Sequence, residues 1–260
     1  MVQTLRRGLD ILEYVLQQDH PVGCSEVARA LGINISTTSR MLNDLVAYGY
    51  LHKTQNYQFV SGMRMVQLAS RQLQTMSLVQ SAVPQAARLV ELLRARVYLS
   101  VMWQGSIVQL HQAWWQTDQQ AEQGWESVDA PIYATAMGKL LLAYQEPEVR
   151  DEIISHLKFQ HITPYTITNA SVLLQELAKI RKLGYAVNRG ESGPANSLAV
   201  PVHDKWGHVI AAIGASVPTG PISSSQFESM LNATKEAAAT ISANLGYQGP
   251  LDDRASATQS

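Results

Sequence analysis

The sequence predicts an α+β protein in two parts. A winged helix-turn-helix is expected over residues 1–61 and a larger α+β domain with an antiparallel sheet over 77–248, with a connecting helix at 62–76 and a disordered tail at 249–260. Three observations predict this. Apolar residues recur at helical spacing three times in the first fifty positions, and two short β-leaning pieces around a polar tip follow them. Beyond residue 96, strands and helices mix without regular βαβ alternation, which favours helices packed on an antiparallel sheet. The composition, 46% apolar and 16% charged, supports a packed core rather than disorder.

In the first helix Leu5, Leu9, Leu12 and Leu16 form a stripe that Ile11 and Val15 widen, and Pro21 and Gly23 break the chain after it. Ser25 is read as the cap of the second helix, with Glu26 where the helix dipole favours an anion and Ala28 and Leu31 on the buried side. Gly32 supplies the tight turn. Ser36 is read as the cap of the third helix, and Met41, Leu42, Leu45 and Val46 as its apolar face. Gly49 ends it, and LHKTQNYQFV (51–60) reads as a hairpin with its tip at residues 53–56.

The third helix points to nucleic acid. Its first turn is Ser36, Thr37, Thr38 and Ser39, followed by Arg40. Small hydroxyl side chains at a helix N-terminus can approach base edges and bond phosphates, and free N–H groups there attract a phosphate. Arg40 can reach a guanine edge or a phosphate, and Lys53 on the wing can hold the backbone. The competing reading has the hydroxyls as caps, Arg40 solvated, and the domain serving protein–protein contacts. Charge does not decide between them. Arg and Lys number seven against five acidic residues in 1–76, and the whole chain carries a net charge of −1. That argues against a non-specific nucleic-acid coat but does not exclude a site-specific reader.

Residues 62–76 carry Met65, Leu68 and Leu73 among polar residues, a short amphipathic helix suited to pairing with a second copy or to packing on its own domain. A helix follows at 77–95, where Pro84 reads as a first-turn residue or a kink. VYLSVMW (97–103) and SIVQLHQAWW (106–115) read as strands around a Gln104-Gly105 turn, and residues 116–127 as a polar, turn-like stretch. The segment 130–144 becomes helical near Thr135; helices are expected at 146–159, 171–184 and 223–245, and strands at 185–188, 197–204 and 208–217.

The order of parts resembles the IclR family of bacterial transcriptional regulators from about Thr4 to Gly246. Three segments carry the likeness. LRRGLDILEYV with SEVARALGINISTTSRMLNDLVAYGYL resembles the family's winged-helix domain, and APIYATAMGKLLLAY its Gly-Lys-x-Leu-Leu-Ala hallmark. LGYAVNRGESGPANSLAVPVHDKWGHVIAAIGASVP resembles its final strand pair. The resemblance implies a GAF-like C-terminal domain that binds a small organic acid, sugar acid or aromatic metabolite. It also implies a homodimer or dimer of dimers acting on a double-stranded DNA operator of catabolic genes, as a repressor. Carried over by motif, the effector site should involve Ala136, Met137, Asn188, Ser197, Ala199, Gly214 and Ser216. Asn188 stands where an acidic residue is common, Ser197 where cysteine is, Gly214 where a hydroxyl can occur and Met137 where a small residue is usual.

These residue types suit an anion or polar ligand. The N–H groups of Met137 and Gly138 at a helix start are expected to receive a carboxylate, and Ser197 and Ser216 add hydroxyls. Asn188 adds an amide without the charge that would repel an acid. Trp103, Trp114, Trp115 and Trp125 are read either as a stacking platform at the mouth of the site or as core and interface residues.

Catalysis is not expected. Residues 190–193 lack the spacing of a nucleophile elbow, the histidines lack metal-ligand spacing, and there is no Gly-rich phosphate loop. No cofactor and no metal are expected, and no membrane span. One cysteine, Cys24, and no secretory leader point to the cytoplasm.

Overall fold

A computed structural model of the chain describes residues 3–115, 130–218 and 222–249. The chain divides into two compact units between Thr75 and Met76. The polar stretch at 116–127 with Trp125, and the tail beyond Gly249, lie outside the described residues.

In the N-terminal unit, helices α1 (Gln3–Leu16), α2 (Cys24–Leu31) and α3 (Ile35–Ala47) precede the wing strands β1 (Leu51–Lys53) and β2 (Phe59–Ser61), and α4 (Arg64–Thr75) closes the unit. Its core joins Ile11, Leu12 and Val15 of α1 to Val27, Met41, Leu42, Leu51 and Phe59. The leucine stripe of α1 therefore divides. Leu12 and its neighbours pack inward, whereas Leu5 and Leu9 are 61% and 50% exposed. Val22 exchanges both backbone hydrogen bonds with Phe59, at 3.0 and 2.8 Å, so the link between α1 and α2 extends the wing by one bridge.

Two expected caps move. Helix α2 starts after Gly23, whose N–H is met by the Glu26 carboxylate at 3.4 Å, so Ser25 lies inside the first turn. Helix α3 is capped by Asn34, whose Oδ1 accepts from the Ser36 N–H and the Ser36 hydroxyl, both at 2.8 Å. Asn and Ser are comparable caps, and the choice falls to the residue whose backbone is extended, here Asn34 at φ −62° and ψ 136°.

The C-terminal unit opens with α5 (Ser77–Leu93), where Pro84 lies in the helix interior rather than the first turn. Strands β3 (Arg96–Trp103) and β4 (Ser106–Ala113) form a hairpin on Gln104 and Gly105, both at positive φ as a two-residue turn of matching twist requires. A single 3₁₀ turn at Ile132–Ala134 leads into α6 (Ala136–Ala143), followed by α7 (Pro147–His156) and α8 (Ala170–Leu183). Strands β5 (Ala186–Arg189), β6 (Ala195–His203) and β7 (Val209–Pro218) and helix α9 (Ser224–Asn244) complete the unit. The sheet order is β4-β3-β7-β6-β5, and every pairing is antiparallel.

Alternation divides the strands between two layers. Tyr98, Ala186, Ala199 and Ala212 pack with α6 and α8 in one core. Leu198, Val200 and Ile213 point the other way, toward the side where α5 and α9 contact the sheet and each other. Helix α6 is buried at every position, including Lys139, whose charge is met by Glu191. Among the described residues, no helix is long and apolar enough to cross a membrane.

Asn34→Ala removes the α3 cap and is expected to cost about 1 kcal/mol, read by urea unfolding against the parent protein.

Candidate functional site

The residues expected at a DNA surface separate when placed on α3. Ser36 and Arg40 are exposed, Thr37 and Ser39 are half-buried, and Thr38 is buried with its hydroxyl donating to the Asn34 carbonyl at 3.1 Å. Thr38 is thus part of the helix-packing face and drops out of the set of contacting side chains. The exposed face continues one turn further to Asn43, which the sequence reading missed. Its signal was present in the spacing, because positions 36, 40 and 43 lie on one side of a helix. Asn43 adds an amide suited to an adenine edge. Lys53 sits at the end of β1 rather than at the wing tip, half-buried, with Nζ 5.1 Å from the ring centre of Tyr57 and 5.6 Å from that of Phe59. The tip is residues 54–58, closed by the Thr54 N–H on the Gln58 carbonyl at 2.8 Å.

In the C-terminal unit the pairing register assembles the expected effector residues. Asn188 lies opposite Ser197, and Ser197 opposite Ser216. One step along, Ala186 lies opposite Ala199, and Ala199 opposite Gly214. Cross-strand partners project to the same side, so a polar row and a small-residue row lie next to each other on the α6 face. The hydroxyls of Ser197 and Ser216 are buried, at 5% and 0% residue exposure, and have no hydrogen-bond partner among the described residues. An unpaired buried hydroxyl costs about 1–3 kcal/mol, so two side by side are a place where a polar ligand gains.

A Cβ at Gly214 would lie 2.5 Å from the Leu198 carbonyl oxygen and 3.0 Å from the Met137 sulfur, so the neighbouring strand's backbone already excludes a side chain there and Met137 lies against the same spot. Ala136 and Met137 are buried at the start of α6 beside this row. Gly138 also needs its missing side chain, since a Cβ there would overlap the Ile132 carbonyl oxygen.

Two expected ligand groups have other partners. The Gly138 N–H donates to Thr135 Oγ1 at 3.0 Å, so the helix start caps itself with its own threonine. Asn188 holds the loop that follows β5, accepting from the Glu191 N–H at 2.7 Å and donating to Ser192 Oγ at 2.8 Å. The same loop is tied by Lys139, whose Nζ lies 2.5 Å from Glu191 Oε2, and by the Thr163 and Thr166 hydroxyls on the Gly190 and Glu191 carbonyls. Burial pushes the Glu191 carboxyl up, and the attraction and hydrogen bond of Lys139 pull it back only in part. The folded state therefore holds that proton more tightly than the unfolded chain. Stability from this group is full below the ordinary carboxylate range and declines as pH rises through the raised value.

Among the described residues, Trp103, Trp114 and Trp115 do not form one platform. Trp103 is exposed at the far end of β3, about 23 Å along the strand from Arg96. Trp114 and Trp115 follow Ala113, which pairs with Val97 at the near end, and the Arg94 guanidinium lies 5.6 Å from the Trp115 ring centre. A separate cavity of about 490 Å³ is lined by Val187, Arg189, Asn196, Phe227 and Met230, and Ser197 alone of the expected effector residues borders it. Among the described residues no cluster of His, Cys, Asp and Glu could hold a metal ion.

Comparison with known proteins places both units. Residues 4–55 match the IclR helix-turn-helix domain, and residues 70–243 match the C-terminal domain of the bacterial transcriptional regulator IclR. The chain is similar to the HTH-type transcriptional regulator KdgR of Escherichia coli K12, 28% identical over 250 residues that cover 95% of this chain and 94% of that one. It is 27% identical to the HTH-type transcriptional repressor AllR of the same strain, covering 95% and 91% of the two chains. Its structure resembles that of an IclR homolog from Microbacterium hydrocarbonoxydans solved in complex with 4-hydroxybenzoate. The TM-score is 0.77 at 27% identity, over 94% of this chain and 99% of that one.

Lys139→Met strands Glu191 in a buried setting and is expected to cost about 3–5 kcal/mol in urea unfolding at pH 7. Adding Glu191→Gln should recover much of that loss.

Proposed function

The chain belongs to the IclR family of bacterial transcriptional regulators, and from that premise we propose that it is a repressor released or retained on its operator by a small organic acid, sugar acid or aromatic acid. That it is a DNA-binding regulator with an effector-binding C-terminal domain, and not an enzyme, follows from the family and its named relatives. The finer reading is supported by the repressor among its relatives and by the neighbour that holds 4-hydroxybenzoate. The observation that carries the effector site is the pair of buried hydroxyls at Ser197 and Ser216, which have no hydrogen-bond partner among the described residues. Met137, Gly214, Ala199 and Ala136 shape its apolar side, and Asn188 sits at its end as both a ligand contact and the anchor of its own loop.

On the DNA side, Ser36, Arg40 and Asn43 form the reading face of α3, with Thr37 and Ser39 at its flanks and the backbone of the first turn toward a phosphate. Lys53, held under Tyr57, meets the phosphate backbone from the stem of the wing. A single module of this size contacts few base pairs, and a two-fold pair doubles the contacts on a palindromic site. The exposed apolar residues Leu5 and Leu9 of α1, and Met65 and Leu68 of α4, are the surfaces on which a homodimer or dimer of dimers closes. Effector binding shifts the population of two arrangements of the C-terminal units, and α4 and α5, separated by Met76 alone, pass that shift to the spacing of the two α3 helices. Coupling of this kind amounts to about 1–3 kcal/mol. The protein works where its operator is, in the cytoplasm.

Gel-shift titration of the purified protein with the DNA upstream of its own gene tests this reading; a protein that ignores that DNA at low salt refutes it. Arg40→Ala is expected to weaken the complex by about 1–3 kcal/mol. Ser216→Ala is expected to leave effector-free DNA binding intact and to lower effector affinity several-fold in a thermal-shift titration, since a ligand of the native state raises the melting temperature.

A further inference from the structure

The effector site proposed above has two hydroxyls and an amide in its row, and the same row continues onto a fourth strand. Arg96, the first residue of β3, pairs with Ser216. The order across the sheet is therefore Arg96, Ser216, Ser197, Asn188, one residue from each of β3, β7, β6 and β5. Partners in antiparallel ladders project to one side, with neighbouring Cβ atoms about 4.5–5.5 Å apart. All four residues are buried, and Arg96, although charged, is only 3% exposed. The adjacent row, Tyr98, Gly214, Ala199 and Ala186, gives the polar row an apolar floor.

We propose that Arg96 is the residue that selects an anionic effector, and that the effector lies along this row with its carboxylate toward β3 and its oxygenated chain toward β5. This rests on the reading of Ser197 and Ser216 as effector contacts, and it moves the charged end of the ligand away from α6. At the start of α6 the Gly138 N–H is bonded to Thr135, and Arg96 likewise has an interaction within the protein, so the choice rests on the row that Arg96 shares with Ser216 and Ser197 and not on an idle donor. A guanidinium presents five N–H donors in a planar fork that matches a carboxylate, so it can serve protein acceptors and a bound acid together. Ser216 and Ser197 are then placed for oxygens on the carbons next to the carboxylate, and their hydroxyls, without a partner among the described residues, gain hydrogen bonds there. A ligand polar along its whole length fits this row better than a bare ring. The class is an aliphatic acid bearing hydroxyl or carbonyl oxygens.

The test uses the full-length protein with pyruvate, D-gluconate and 4-hydroxybenzoate, each beside a neutral counterpart (hydroxyacetone, D-glucitol and 4-hydroxybenzyl alcohol), in thermal-shift and calorimetric titrations. Pyruvate or gluconate should bind and its counterpart should not. Arg96→Gln should weaken that acid at least about 30-fold, and Arg96→Lys, which keeps the charge but loses the fork, about 10-fold. Both variants should hold operator DNA in the absence of acid, which also shows that they fold. If Arg96→Gln fails that control, Arg96→Lys alone decides. Acid binding unchanged in the Arg96 variants but lost in Ser216→Ala overturns the clamp and leaves the effector site standing. Neutral compounds binding as well as acids, 4-hydroxybenzoate binding in preference to both aliphatic acids, or none of the acids binding, each overturns the proposal.

Discussion

The register of β6 against β7 is the constraint on which the C-terminal unit depends. Ser197 faces Ser216 and Ala199 faces Gly214 only in this pairing, and a shift of either strand by one residue would turn its own serine away from the other and toward α5 and α9. The same register sets how close α6 can come. Gly214 leaves room for the Met137 side chain, and Ala199 and Ala212 present flat surface to a helix that is buried along its whole length. Site and core are thus one construction. The residues that hold α6 against the sheet are the neighbours of the residues that would hold a ligand.

Helix α6 transmits that geometry outward. Its first turn is closed by Thr135 on the Gly138 N–H, and the next residue, Lys139, is tied to Glu191. Glu191 lies in the loop that Asn188 fastens from below. A buried ion pair is a weak source of net stability, because desolvation offsets most of the attraction, but it strongly penalises any arrangement that separates the partners. Here that penalty fixes the loop after β5 relative to α6, and with it the end of the polar row. The raised carboxyl of Glu191 shows that burial outweighs the Lys139 charge at this point.

The N-terminal unit uses burial to sort a run of similar side chains. Four hydroxyl residues stand in sequence from Ser36 to Ser39, and helix geometry sends them to different environments: Ser36 outward to share the Asn34 cap, Thr38 inward to the helix backbone. The exposed face of α3 is consequently narrower and longer than the run suggests, passing from Ser36 through Arg40 to Asn43. Lys53 is held by two aromatic rings, which restrict a long side chain before any phosphate meets it and lower the entropy lost on contact.

Much of this was legible in the sequence because it is local. Period-3.6 and period-2 patterns, glycine turns and the Gln104-Gly105 hairpin marked the elements and their order, and the mixture of strands and helices indicated an antiparallel sheet. The segments around Gly138 and Ser197 pointed to the family. Local patterns stop at the choice between equivalent neighbours. Asn34 rather than Ser36 caps α3, and Leu12 rather than Leu5 enters the core, because backbone direction and packing against other elements decide between side chains of equal aptitude. They also stop at pairing across the sheet. Arg96 and Asn188 are ninety-two positions apart in the chain, and no spacing rule links them to Ser197 and Ser216. Which elements form, and which family they make, can be read from segments taken one at a time. Which polar groups share a face cannot, because a strand register is a long-range contact and not a property of any segment alone.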